Sequence, residues 1–108
     1  MGRTIGGRIL VEYYQGDVLK IENQKDLVIV VSKDKYNEIG QVIACPIIKE
    51  TRLLPTVQKV TYEGTEYYVL CDKMKNLNLN VRTSKKMGQI SVIDRMYVSD
   101  AIQCLFDY

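Results

Sequence analysis

The sequence predicts a mainly β domain: a strongly bent sheet or small barrel with one helix packed on it. Three observations carry this. Short β-prone runs follow one another along most of the chain, separated by turns rich in Gly, Asn and Asp. Only one stretch, near the C-terminus, spaces apolar residues at helical intervals. The 108 residues, 46% hydrophobic and 26% charged, suffice for one core and leave no room for a second.

The elements follow in order. Residues 1–7 hold three glycines and are expected to form a flexible tail, leaving residues 8–108 as a single domain. Arg8 to Tyr14 is β-prone, Gln15-Gly16-Asp17 is a turn, and Val18 to Glu22 alternates as a short strand. Asn23-Gln24-Lys25-Asp26 is a polar turn leading into Leu27 to Ser32, an aliphatic run fit for a strand buried on both faces. After a polar connection from Lys33 to Gly40 comes a second buried strand, Gln41 to Ile48. Pro46 is expected to mark an edge or bulge there, because proline offers no N–H to a ladder. Past the charged stretch Lys49 to Pro55, Val57 to Tyr62 and Glu66 to Cys71 flank Glu63-Gly64-Thr65 as a hairpin.

From Lys73 to Ile93 the chain carries Lys73, Lys75, Arg82, Lys85 and Lys86 and no acidic residue. Leu77, Leu79 and Val81 alternate with Asn78, Asn80 and Arg82, which predicts a half-exposed strand with a basic outer face. Lys86 to Ser91 breaks that pattern. Val98, Ala101, Ile102 and Leu105 then share one face of a helix over Asp94 to Phe106, with Asp94 as N-cap or first-turn acid.

Composition removes several chemistries. There is no histidine, which excludes Ser-His-Asp and Cys-His nucleophile systems and His-ligated metals. Cys45, Cys71 and Cys104 are odd in number and widely spaced, so reduced, mostly buried thiols in a cytoplasmic protein are expected, with no metal site. No apolar run approaches the roughly 20 residues of a membrane span, and no apolar signal core is present. The formal charge of +2 is too mild to indicate nucleic acid by itself.

Six short blocks, in order, resemble the MazF/PemK family of toxin ribonucleases from bacterial toxin–antitoxin pairs. Gln15-Gly16-Asp17-Val18 is similar to the family's "RGDV" opening. Leu27 to Ser32 with Tyr36-Asn37 is similar to its second strand and exit. Val42 to Ile47 sits where a strand ends near the catalytic threonine, and Leu54-Pro55-Thr56 matches an "LPT" turn. Cys71-Asp72-Lys73-Met74-Lys75 resembles "(C/E)DQ(V/I)(R/K)", and Lys86 to Ser91 resembles "KIGQLS". The resemblance implies an SH3-like, partly open β-barrel with a C-terminal helix, assembled as a homodimer. It also implies cleavage of single-stranded RNA without a metal or other cofactor, and inhibition by an antitoxin peptide laid over the RNA groove.

The family's catalytic positions are altered in this chain. Its arginine before the second strand falls on Lys25-Asp26 or Asp26-Leu27, and its threonine falls on Ile47 or Ile48. The loop between the first two strands shrinks to Asn23-Gln24-Lys25-Asp26. One explanation is relocation to Lys49-Glu50-Thr51-Arg52. There Arg52 would stabilise phosphate charge, Glu50 or Lys49 would move a proton, and Thr51 would bind a phosphate oxygen. The other is a catalytically silent fold that binds RNA or a protein. In either case Lys25, Lys73, Lys75 and Arg82 are the candidate RNA contacts, with Tyr67 or Tyr68 as a stacking face.

Overall fold

The computed structural model describes the backbone of residues 2–5 and 8–11 and all of residues 12–51 and 54–106. In chain order the described elements are β1 (Gly2–Ile5), β2 (Arg8–Val11), β3 (Asp17–Ile21), β4 (Val28–Val30) and the single turn α1 (Asp34–Asn37). There follow β5 (Gln41–Ile48), β6 (Val57–Tyr62), β7 (Thr65–Leu70), β8 (Lys75–Asn78), β9 (Ser84–Gln89) and α2 (Val92–Leu105). A 3₁₀ turn, Cys71–Lys73, joins β7 to β8. β1 and β2 form a two-stranded antiparallel sheet of their own. The other strands make one seven-stranded antiparallel sheet.

β5 is the spine of that sheet. On one side it pairs with β4, which leads to β3 and then β9. On the other side it serves two partners in turn: β8 along Gln41 to Ala44, then β7 at Ile47 and Ile48. Pro46 therefore does not mark an edge strand. It falls where β5 has left β8 and not yet met β7, so its missing N–H interrupts no ladder on that side.

The sheet buries both faces, as the aliphatic runs predict. Val18, Ile29, Cys45, Ile47, Val60 and Val69 pack on one face, where Val98, Ala101, Ile102 and Leu105 of α2 cover them. Leu19, Ile21, Val28, Val30, Val42, Ala44, Leu77 and Leu79 pack on the other. The helix starts earlier than its apolar spacing suggests. Ser91 is its N-cap, accepting the Asp94 N–H at 3.1 Å. Asp94 is the first-turn acid, and its carboxylate accepts the Thr61 N–H at 2.9 Å, docking α2 on the outer edge of β6.

β6 and β9 are the two ends of the strand order, and a tyrosine joins them. The Tyr62 hydroxyl donates to the Met87 carbonyl at 2.7 Å. Gly88 makes room for the ring: a Cβ there would lie 2.9 Å from Tyr62 Cε1. The bent sheet is thus a partly open barrel with its gap bridged at this point. The β6–β7 hairpin turns on Glu63-Gly64, both at positive φ (50° and 76°), the pattern that matches strand twist.

Three further expectations are corrected. Gly2–Ile5, in the stretch expected to be a flexible tail, is the strand β1, paired with β2. The strand placed on Leu77 to Arg82 lies at Lys75–Asn78, because the chain turns at Asn80. There the Asn78 side chain accepts the Asn80 N–H at 3.0 Å. Lys86 to Ser91, read as a break in the pattern, falls largely within the strand β9, Ser84–Gln89.

Candidate functional site

Two of the six motif blocks meet at one buried carboxylate. Asp17 is 1% exposed and opens β3. Its Oδ2 accepts the Tyr14 N–H at 2.9 Å and lies 3.2 Å from Lys86 Nζ. Its Oδ1 accepts from Gln89 Nε2 at 2.7 Å. The Lys86 ammonium also lies over the rings of Tyr13 and Tyr14, at 5.5 and 4.9 Å from their centroids. Asp17, Lys86 and Gln89 thus fasten β3 to β9, and the lysine and glutamine are spent on architecture. Tyr36-Asn37 has a similar use. The buried Asn37 amide donates to the Tyr13 and Ser32 carbonyls at 3.2 and 3.1 Å and accepts from the Ser32 hydroxyl.

The open chemistry lies elsewhere, around the turn between β3 and β4. Two adjoining clefts of about 350 and 320 Å³ share Lys25 and Asp26. The first is completed by Gln24, Val28, Pro46, Leu70, Lys73 and Lys75. The second continues over Leu27, Ile47, Ile48, Lys49 and Tyr67. The turn is held in place by the chain itself. Asn23 takes positive φ (66°), Gln24 N–H donates to the Ile21 carbonyl at 3.1 Å, and Lys20 Nζ donates to the Gln24 carbonyl at 2.9 Å. Ile47 N–H donates to the Leu27 carbonyl at 2.9 Å, which fixes Asp26 beside the end of β5.

Electrostatically the joined cleft sets four lysine ammonium groups against one carboxylate. Such a groove attracts a polyanion. Lys49 Nζ stands 5.9 Å from the centroid of the Tyr67 ring, so a cation and an aromatic face sit side by side at one end. Tyr67 is half-buried and also packs against the core, which keeps the ring rigid. Tyr68 points to the opposite face of β7, as its neighbouring position on a strand requires. The structure therefore favours Tyr67 as the aromatic wall of the cleft.

The candidate residues separate cleanly. Lys25, Lys49, Lys73 and Lys75 come together although they lie on three separate stretches of chain. Glu50 and Thr51 are exposed and line neither cleft. Arg52 lies outside the described residues. Arg82 lies in the turn between β8 and β9, next to Thr83, whose carbonyl accepts the Glu22 N–H at 2.9 Å, and it too lines neither cleft. Asp26 is the charged lining residue to which the sequence alone assigns no role. Its place beside Lys25, in the stretch where the resemblance leads one to expect an arginine, is the available signal.

The thiols take no part in this chemistry. Burial pushes Cys45 up to about 12 and Cys71 up to about 11, so both stay protonated at neutral pH. Cys104 is exposed on α2 and lines neither cleft.

Residues 9–106 match the family described as "PemK-like, MazF-like toxin of type II toxin-antitoxin system", and the chain belongs to that family. Among solved structures it is similar to MazF in a MazE–MazF complex from Deinococcus radiodurans, at 18% identity and a TM-score of 0.77, over 89% of this chain and 97% of that one. It is also similar to an endoribonuclease from a Mycobacterial species, at 16% identity and a TM-score of 0.76, over 89% and 92% of the two chains. A Mycobacterial endoribonuclease in complex with its cognate antitoxin matches at 16% identity and a TM-score of 0.75, over 87% and 94%. These likenesses establish the expected fold, a partly open barrel with a C-terminal helix. No curated protein matches the chain by sequence. Among the described residues no helix is long and apolar enough to cross a membrane.

Proposed function

We propose that this protein is the toxin of a toxin–antitoxin pair and that it binds single-stranded RNA in the lysine cleft and cleaves it there without a metal ion. The observation that carries this is the convergence of Lys25, Lys49, Lys73 and Lys75 on one groove with Tyr67 at its end. Ammonium groups at intervals follow a phosphate backbone, and a rigid aromatic face stacks an unpaired base. Membership of the toxin family supports the reading. An acidic antitoxin segment laid over the same cleft would silence it. The MazE–MazF and Mycobacterial antitoxin complexes of similar structures support such a partner.

Val92, Ile93, Met96 and Tyr97 are all more than half exposed on α2. On this reading they are covered by a second copy of the chain. The protein would then sediment in solution at twice its 12.4 kDa, and a monomer at micromolar concentration would contradict the dimer.

A second reading keeps the cleft and removes the chemistry. Ile47 and Ile48 stand where the family's threonine is expected, and no guanidinium lines the cleft among the described residues. The protein would then bind RNA and leave it intact. Incubation with a long single-stranded RNA in excess chelator decides. Fragments accumulating with time are expected. Intact RNA that nevertheless shifts on a native gel would support the second reading, and RNA neither cut nor shifted would remove both.

A further inference from the structure

We infer that Asp26 is the proton acceptor for the attacking 2′-hydroxyl of RNA in this cleft, an assignment that rests on the ribonuclease reading above. Metal-free RNA cleavage needs a group that takes this proton. The chain has no histidine to do so. Ammonium groups are donors only, which removes the four cleft lysines as acceptors. Both buried thiols are held protonated by desolvation. Glu50, the carboxylate of the charged connection, lines neither cleft. Asp26 lines both and is the one carboxylate among their described lining residues. It is half-buried, so a substrate can reach it while the turn holds it in place.

The step balances without a further reagent. The 2′-hydroxyl proton passes to a carboxylate oxygen of Asp26 as the 2′-oxygen bonds to phosphorus. The bond from phosphorus to the 5′-oxygen breaks, and that oxygen takes a proton from a cleft ammonium, Lys25 or Lys49. The products are a 2′,3′-cyclic phosphate and a free 5′-hydroxyl, and proton exchange with water restores both side chains. The remaining ammonium groups stabilise the charge that grows on the phosphoryl oxygens.

Asp26→Asn removes the acceptor and keeps the shape, and it also takes a negative charge out of an anion-binding groove. We expect single-turnover cleavage to fall by about 10² or more, with RNA binding unchanged or tighter. Asp26→Glu should recover part of the rate, since the acceptor returns on a longer arm. Thermal unfolding of each variant controls for folding. Asp26→Asn cleaving at the wild-type rate overturns the assignment and leaves the ribonuclease reading standing. Wild-type protein that never cleaves overturns both.

Discussion

Asp17→Ala is expected to lower the stability of the fold by about 3 kcal/mol, the scale for breaking a buried, hydrogen-bonded charge pair. The carboxylate receives Tyr14 N–H, Gln89 Nε2 and Lys86 Nζ together. Its removal leaves the Tyr14 amide and the Gln89 amide without this acceptor in a site that is 1% exposed. Lys86 is partly open to water and loses less. Asp17→Asn keeps an acceptor for one donor but turns an N–H₂ group toward the others, so an intermediate loss is expected. Urea unfolding followed by circular dichroism reads both. A loss under about 1 kcal/mol for the alanine variant would show that the β3–β9 seam does not depend on this residue. Asp17 lines neither cleft, so the substitution tests the fold apart from the function.

The second large effect is on binding. Reversing charge at Lys73 and Lys75 together is expected to weaken binding of a short single-stranded RNA by at least about tenfold at moderate salt. Both residues are exposed and line the cleft, so the change should leave stability nearly intact. The physical signature is the salt dependence. Each phosphate that the protein no longer neutralises flattens the plot of log affinity against log salt by about 0.7 for a single strand. Arg82→Glu, outside the cleft, should flatten it less. Fluorescence anisotropy across a salt series measures both variants against the wild type. An unchanged slope for the Lys73 and Lys75 variant would mean that RNA binds a different face.

Much of the fold is legible in the chain. The boundaries of β5 and β6 coincide with their expected runs, because both alternate or cluster apolar residues between clear turn signals. The strand β9 is hidden because its less exposed positions, Ser84, Lys86 and Gly88, carry no apolar side chain, and the exposed Gln89 is polar as well. Lys86 and Gln89 serve Asp17, and Gly88 serves the ring of Tyr62, so no apolar alternation marks it. The apparent strand from Leu77 to Arg82 misleads for the opposite reason. Its alternation is regular, but Asn80 turns the chain, and Val81 ends up 79% exposed. Most of the motif blocks serve the fold, since Asp17, Asn37, Lys86 and Gln89 hold the barrel together; the Cys71 to Lys75 block is the one that brings lysines to the cleft. The cleft is assembled from three stretches of chain distant in sequence, and only the folded chain shows that Lys25 and Lys49 share it with Lys73 and Lys75. Glu50 and Thr51 look apt because they follow the missing threonine directly; both are exposed and line neither cleft.

The central claim is that single-stranded RNA lies in the cleft of Lys25, Asp26, Lys49, Tyr67, Lys73 and Lys75. Amide chemical-shift mapping of the isotope-labelled protein, with Asp26→Asn used to keep the RNA intact, tests it most directly. Addition of a short single-stranded oligoribonucleotide should move the signals of Gln24 to Leu27, Ile47 to Lys49, Tyr67, and Lys73 to Lys75, and leave those of the outer face of α2 in place. Shifts confined to α2 or to the turn around Ile39 and Val81, with the cleft signals unmoved, would contradict the account.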